Sequence, residues 1–173
     1  MNGFILLIPF MLIRFGLLAI VNKDAVKRAA HFAPMAGNEV LAYWLYQIAN
    51  IGIFIYLFFL EVKVERSLPL YIGVIAYLSG LILCALSVIS FAAPSEAGAN
   101  FNGLYQFSRN PMYISYFICF VGCSLLTQSL ILFGLILVFQ ITSHWIILSE
   151  ERWCISQFGE EYVQYMKKVK RYI

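Results

Sequence analysis

The feature that most constrains this chain is a set of long, continuous apolar runs. They lie at about residues 4–21, 40–60, 70–93 and 112–148, and the last run carries no formal charge if His144 is neutral. About 20 apolar residues are enough to cross a bilayer as a helix, whereas membrane barrel strands are about ten residues long and alternate in polarity. Only 12% of the chain is charged, against roughly 25% in soluble domains. The sequence therefore predicts one all-α integral membrane domain, residues 1–173.

The last apolar run is too long for one span, and Thr127-Gln128-Ser129 is the natural break in it. Splitting it there gives a C-terminal helical hairpin and about five spans in all: 4–21, 40–60, 70–93, 112–126 and 130–148. The first arm of the hairpin covers only about 22 Å, short of a bilayer core of about 30 Å. We therefore expect a shallow hairpin, or one that draws the preceding polar segment to the membrane boundary.

The basic residues favour one orientation in the membrane. With five spans and the N-terminus outside, nine of the twelve lysines and arginines lie inside: Lys23, Lys27, Arg28, Arg109, Arg152, Lys167, Lys168, Lys170 and Arg171. The positive-inside rule supports this arrangement, and clusters beside apolar segments suit anionic membrane lipids better than nucleic acid. We therefore expect a plasma (inner) membrane protein with a cytosolic C-terminus.

Several residues inside the apolar runs need an explanation. Arg14 lies within the first run, where a charge is costly, so it should face the bundle or snorkel; structural pairing is the main expectation and a functional role the alternative. Gly73 and Gly80 permit either close helix packing or the approach of a ligand to the backbone. The four cysteines show no CxxC spacing, which indicates packing residues in a reducing setting and no metal site.

A polar segment, Gly103 to Tyr113, interrupts the apolar pattern before the hairpin. It holds the only lysine or arginine between Arg66 and Arg152, and the predicted topology places it on the same face as Glu150-Glu151. A cationic, amine-bearing cofactor needs a carboxylate for its ammonium group, aromatic faces near its positive centre and polar groups for its edges. The combination predicts a cofactor site at the membrane surface.

The tail after Glu150 is predicted to continue the last helix beyond the membrane. Phe158-Gly159 should end that helix, because glycine is the usual residue at a helix C-terminus. A short amphipathic helix then places four residues on one face and lysines on the other: Tyr162, Tyr165, Met166 and Val169. We expect this cytosolic segment to act as an interfacial or lid helix.

The polar segment and the tail resemble the isoprenylcysteine carboxyl methyltransferases and the related phospholipid methyltransferases. The core of that family reads Gly-x-Tyr-x-x-x-Arg-His-Pro-x-Tyr. It is followed by a helical hairpin, a Glu-Glu pair and Phe-Gly-Glu-Glu-Tyr-x-x-Tyr-x-x-x-Val. Gly103 to Tyr113, Glu150-Glu151 and Phe158 to Val169 stand at these places in this chain.

The resemblance implies an S-adenosylmethionine-dependent methyltransferase acting at the cytosolic membrane surface on a lipophilic acceptor, such as a prenylcysteine-like carboxylate or a lipid. The implied cofactor-binding elements are residues 97–113 and 149–173, with these lining residues: Tyr105, Asn110, Pro111, Met112, Tyr113 and Glu150. Glu150 would hold the cofactor's amino group. The implied catalytic residues are Arg109, Tyr113 and Glu151, and Arg109 is the best candidate to pair with a carboxylate of cofactor or substrate.

Three departures from the family pattern keep the acceptor open. Asn110 replaces the usual histidine and cannot titrate, and Ile146 replaces an arginine that contacts substrate in the eukaryotic prenylcysteine enzymes. Residues 97–102 lack the His and Leu-Val run of those enzymes. A lipid amine, a prenylated thiol carboxylate and a small thiol all remain possible acceptors. A non-catalytic membrane scaffold and a sterol-reductase-like oxidoreductase remain the alternative functions.

Overall fold

The computed structural model describes residues 1–29, 32–94 and 98–173. These residues form a short 3₁₀ turn, Gly103–Gln106, and six helices: α1 (Gly3–Val21), α2 (Lys23–Ala29), α3 (Glu39–Phe59), α4 (Leu68–Ala92), α5 (Pro111–Thr127) and α6 (Leu130–Lys168). A single bridge between Asn2 and Glu61 is the only β pairing among the described residues. The predicted all-α class is confirmed. Ala97, the first residue of the predicted element 97–113, lies outside the described residues.

Four helices, α1, α3, α4 and α6, are long and apolar enough to cross a membrane, by length and composition. The remaining predicted span, residues 112–126, corresponds to α5. This helix has 17 residues, or about 25 Å of length, which is less than the bilayer core of about 30 Å. The structure thus supports four of the five predicted spans, and a crossing by α5 stays a prediction.

The hairpin breaks where the sequence predicted it. α5 ends at Thr127, and Gln128 adopts the left-handed conformation with φ 50°. The Ser129 hydroxyl accepts a hydrogen bond from the Leu132 amide at 3.2 Å, which caps the start of α6. α5 then packs mainly along α4, while α6 packs mainly along α3.

Glycines allow α4 and α5 to approach at backbone distance. A Cβ atom added at Gly80 would overlap the backbone of Cys119, and one added at Gly122 would overlap the backbone of Tyr77. Small residues of this kind let membrane helices pack closely without a hydrophobic driving force. Of the two roles that the sequence left open for Gly80, the structure shows helix packing.

α6 extends well past its apolar part. Its 39 residues correspond to about 58 Å, roughly twice the bilayer core. Gly159, with φ 56° and ψ −133°, interrupts the helical conformation and kinks the chain. The predicted break at Phe158-Gly159 is therefore confirmed, and the helical segment after it contacts the polar segment before α5.

The α4–α5 contact predicts that Gly122→Ala destabilises the protein by about 1–3 kcal/mol, because the added methyl group overpacks the interface. Gly134→Ala is the matched control, since no atom lies within 4 Å of a Cβ at that position of α6. It should leave stability unchanged or raise it by up to about 1 kcal/mol. Unfolding of the detergent-purified variants measures both effects, and equal stabilities would contradict the close packing.

Candidate active site

The polar segment enters α5 through a turn that requires glycine. Gly103 has φ 59°, and a Cβ there would overlap the Ser90 hydroxyl, which accepts a hydrogen bond from the Leu104 amide at 3.2 Å. Pro111 begins α5, where its missing N–H has no intrahelical partner to lose. The turn and the proline together fix how the residues between them face α6.

Glu151 is the charged centre of this region. Its side chain is 5% exposed and pairs with Arg109, whose Nε and Nη2 lie 3.0 and 2.9 Å from Oε1. Arg171 approaches from the C-terminus, with its Nη2 at 2.8 Å from Oε2. The bonds to Glu151 raise the pKa of Arg171 above its ordinary value. A buried carboxylate is stable only with such partners.

Further hydrogen bonds tie the polar segment to the C-terminal segment, residues 160–173, which follows the kink at Gly159. Arg109 Nη1 donates to the carbonyl oxygens of Met166 and Val169 at 2.9 and 3.0 Å. The side chains of Ser108 and Asn110 donate to the Arg171 carbonyl at 3.3 and 3.1 Å. The sequence predicted a ligand partner for Arg109 and a cofactor contact for Asn110. In the structure both side chains hold the C-terminal segment.

Glu150 faces a different environment from its neighbour. Its Oε1 accepts a hydrogen bond from the Tyr113 hydroxyl at 3.0 Å, and both residues line a cavity of about 560 Å³. This volume is within the range of ordinary ligand pockets, about 300–1,000 Å³. Tyrosines from four elements contribute to the wall: Tyr46, Tyr105, Tyr113, Tyr116, Tyr162 and Tyr165. The cavity thus combines a carboxylate with several aromatic faces.

The structure brings most of the predicted residues to this one cavity. Seven of them line it: Tyr105, Arg109, Asn110, Met112, Tyr113, Glu150 and Glu151. Pro111 does not line it and instead begins α5. The Tyr165 hydroxyl donates to the Tyr105 carbonyl at 2.6 Å, and burial together with nearby Glu150 raises the pKa of the Tyr105 phenol. Tyr105 therefore stays neutral at physiological pH.

Other residues at the site were missed or left undecided by the sequence. In the sequence, Arg171 was only one member of a basic cluster near the C-terminus. Nothing in the sequence indicated its ion pair with Glu151, from which it is separated by a helical segment. Arg14 and Arg28, from the N-terminal part of the chain, also line the cavity. For Arg14, the position of a charged residue inside an apolar run already indicated a special role. His144, by contrast, is not among the lining residues, and its Nδ1 lies 2.7 Å from the Tyr172 hydroxyl.

Replacing Glu151 tests the contacts that hold the C-terminal segment. Glu151→Gln removes the charge that compensates Arg109, so we expect a loss of about 3–5 kcal/mol in stability and faster tryptic cleavage between Lys167 and Arg171. The exposed Glu161 is the control, and Glu161→Gln should change stability by less than about 0.5 kcal/mol. Equal unfolding free energies and cleavage rates for the two variants would contradict the proposed anchoring.

Comparison with known proteins finds similarity over the part of the chain that contains the polar segment and Glu150-Glu151. Residues 87–161 match the family model described as PEMT, phospholipid methyltransferase. The chain is 37% identical over 71 residues to the protein-S-isoprenylcysteine O-methyltransferase of Schizosaccharomyces pombe, an alignment that covers 39% of this chain and 29% of the relative. The chain thus spans less than a third of the length of this curated relative.

No solved structure matches the chain significantly. The matched region nevertheless contains the polar segment, the hairpin, Glu150 and Glu151. These are the residues that carried the resemblance in the sequence. Residues 87–161 of this chain are therefore similar to the phospholipid methyltransferase family, and part of the chain is similar to a protein-S-isoprenylcysteine O-methyltransferase.

Proposed function

We propose that this protein is an S-adenosylmethionine-dependent methyltransferase that modifies a lipophilic acceptor at the membrane surface. The observation that carries the proposal is the position of Glu150, which projects with Tyr113 into an aromatic-lined cavity of about 560 Å³. A carboxylate suits the ammonium group of the cofactor, and aromatic faces suit a sulfonium centre. The similarity of residues 87–161 to phospholipid methyltransferases favours methyl transfer over the oxidoreductase alternative.

The lining residues fit this cofactor in chemical type. Glu150 would bind the amino group, while the rings of Tyr105 and Tyr113 would lie near the positive centre. Met112 and the tyrosines supply the apolar surface that a nucleoside needs on its faces. Arg109 and Glu151 neutralise each other, so we propose that they position the C-terminal segment instead of contacting the reacting atoms.

S-Adenosylmethionine supplies, when bound, a methyl group already activated by the sulfonium charge. The protein then has to align the acceptor with that methyl group and exclude water, and alignment alone can provide a large share of the acceleration. A carboxylate or thiolate acceptor needs no general base, whereas an amine or hydroxyl does. Glu150, Tyr105 and Tyr113 are the candidates on the cavity wall. Glu151 is paired with Arg109 and Arg171, and His144 lies outside the lining.

The name of the relative assigns it O-methylation of isoprenylcysteine. We therefore propose a lipophilic carboxylate as the first acceptor class to test. Apolar and aromatic side chains line much of the cavity, among them Phe32, Phe91 and Met112, which suits the hydrocarbon chain of a lipophilic acceptor. An inner-membrane location with a cytosolic site and an outside N-terminus remains a proposal that rests on the positive-inside distribution.

The cofactor assignment predicts micromolar binding of S-adenosylhomocysteine to the detergent-purified protein, measured by calorimetry. Glu150→Gln should weaken this binding about 10- to 100-fold, because a charge-assisted hydrogen bond is lost. Tyr113→Phe should weaken it less, by about threefold to tenfold, since only the hydrogen bond that orients Glu150 is removed. Binding should be unchanged in Glu161→Gln.

Absence of binding in a folded wild-type protein would refute the cofactor assignment and leave the non-catalytic scaffold as the better explanation. Binding without dependence on Glu150 would place the cofactor elsewhere. Transfer of a labelled methyl group to N-acetyl-S-farnesylcysteine, compared with a lipid amine and a small thiol, then identifies the acceptor class.

A further inference from the structure

Two arginines from the N-terminal part of the chain line the same cavity as Glu150. Arg14 belongs to α1 and Arg28 to α2, and both lie outside the region matched by the family, residues 87–161. Neither forms an ion pair with a carboxylate among the described residues. Two positive charges therefore line the cavity without an ion pair among the described residues.

Arg14 lies in a segment of α1 that departs from regular α-helical geometry. Residues Leu12–Leu17 form a π-helical segment inside α1, and such segments recur at functional sites. The guanidinium lies 5.6 Å from the centre of the Tyr116 ring, and Nη2 donates a long hydrogen bond of 3.4 Å to the Ala29 carbonyl. The Nη1 atom is buried and has no hydrogen-bond partner.

Arg28 is held in a similar way. Its Nη2 donates to the Phe91 carbonyl at 3.0 Å, and its guanidinium lies 5.4 Å from the centre of the Phe91 ring. The Nε atom is buried without a hydrogen-bond partner. Each arginine thus contacts one carbonyl and at least one aromatic ring, and each has one buried N–H group without a hydrogen-bond partner.

Unpaired buried donors are costly, and more so when they are charged. The carboxylates of the cavity do not pair directly with these two arginines, because Glu151 binds Arg109 and Arg171, and Glu150 binds Tyr113. Glu150 attracts Arg14 only through space, without a hydrogen bond. Two arginine side chains that line one cavity supply the positive charge that a binding site for an anion requires. A planar guanidinium matches the geometry of a carboxylate in particular.

We propose that Arg14 and Arg28 form a carboxylate-binding subsite for a molecule that lies in the cavity. The inference rests on the proposed function, in which two molecules carry such a group: the amino-acid part of the cofactor and an acidic lipophilic acceptor. Different residues of the same cavity would then serve opposite charges, with Glu150 for an ammonium group and the arginines for a carboxylate.

The test compares ligands that differ only in their carboxylate. One pair is S-adenosylhomocysteine and its decarboxylated analogue, and the other is N-acetyl-S-farnesylcysteine and its methyl ester. Binding is measured by calorimetry to the full-length protein in detergent for the wild type, Arg14→Gln and Arg28→Gln. Arg66→Gln is the control, because it removes the same charge from an exposed loop.

We expect Arg14→Gln and Arg28→Gln to lower the binding affinity for one of the two carboxylate ligands about 10- to 100-fold. The affinity for the counterpart without the carboxylate should be unchanged. Loss confined to S-adenosylhomocysteine assigns the subsite to the cofactor, and loss confined to the farnesylcysteine assigns it to the acceptor. The melting temperature without ligand should fall only slightly, because each substitution removes a hydrogen bond to a carbonyl but breaks no ion pair.

Wild-type affinities for both carboxylate ligands in the two variants would overturn the subsite and leave the proposed function intact. Equal losses for ligands with and without a carboxylate, accompanied by a much lower melting temperature, would show a structural role instead. A wild-type protein that binds none of the four ligands would refute the proposed function and the subsite together.

Discussion

The ion pairs of one buried carboxylate organise the C-terminal half of this protein. Glu151 binds Arg109 at the start of α5 and Arg171 near the C-terminus, so three segments that are distant in sequence meet at one point. Arg109 extends the connection through the Met166 and Val169 carbonyls. A buried charge destabilises a fold unless it is paired, so the segment that borders the cavity depends on this contact.

Consecutive residues on an α-helix point about 100° apart, which explains how adjacent glutamates take different roles. Glu151 faces the polar segment and the C-terminus, whereas Glu150 faces the cavity and Tyr113. The charge of Glu151 is neutralised by two arginines, whereas Glu150 accepts a hydrogen bond from the neutral phenol of Tyr113. The pair in the sequence therefore divides into a structural residue and a candidate ligand-binding residue, a distinction that adjacency in the sequence hides.

Much of this arrangement could be predicted from the sequence, because it depends on local signals. Apolar runs set the bounds of α1, α3, α4 and α5 to within a few residues, and Gln128 and Gly159 interrupt the helical conformation where turn-forming residues predicted it. The partners of Arg109 and Asn110 could not be predicted, since they come from the far end of the chain. The π-helical turn at Arg14 leaves no recognisable pattern in an apolar run.

The most direct test of the account is a structure of the protein bound to S-adenosylhomocysteine. The account predicts the ligand in the cavity between α1, α5 and α6, with its ammonium nitrogen within hydrogen-bonding distance of Glu150 and Glu151 still paired with Arg109. A ligand bound elsewhere, or an ammonium group far from Glu150 within the same cavity, would contradict it.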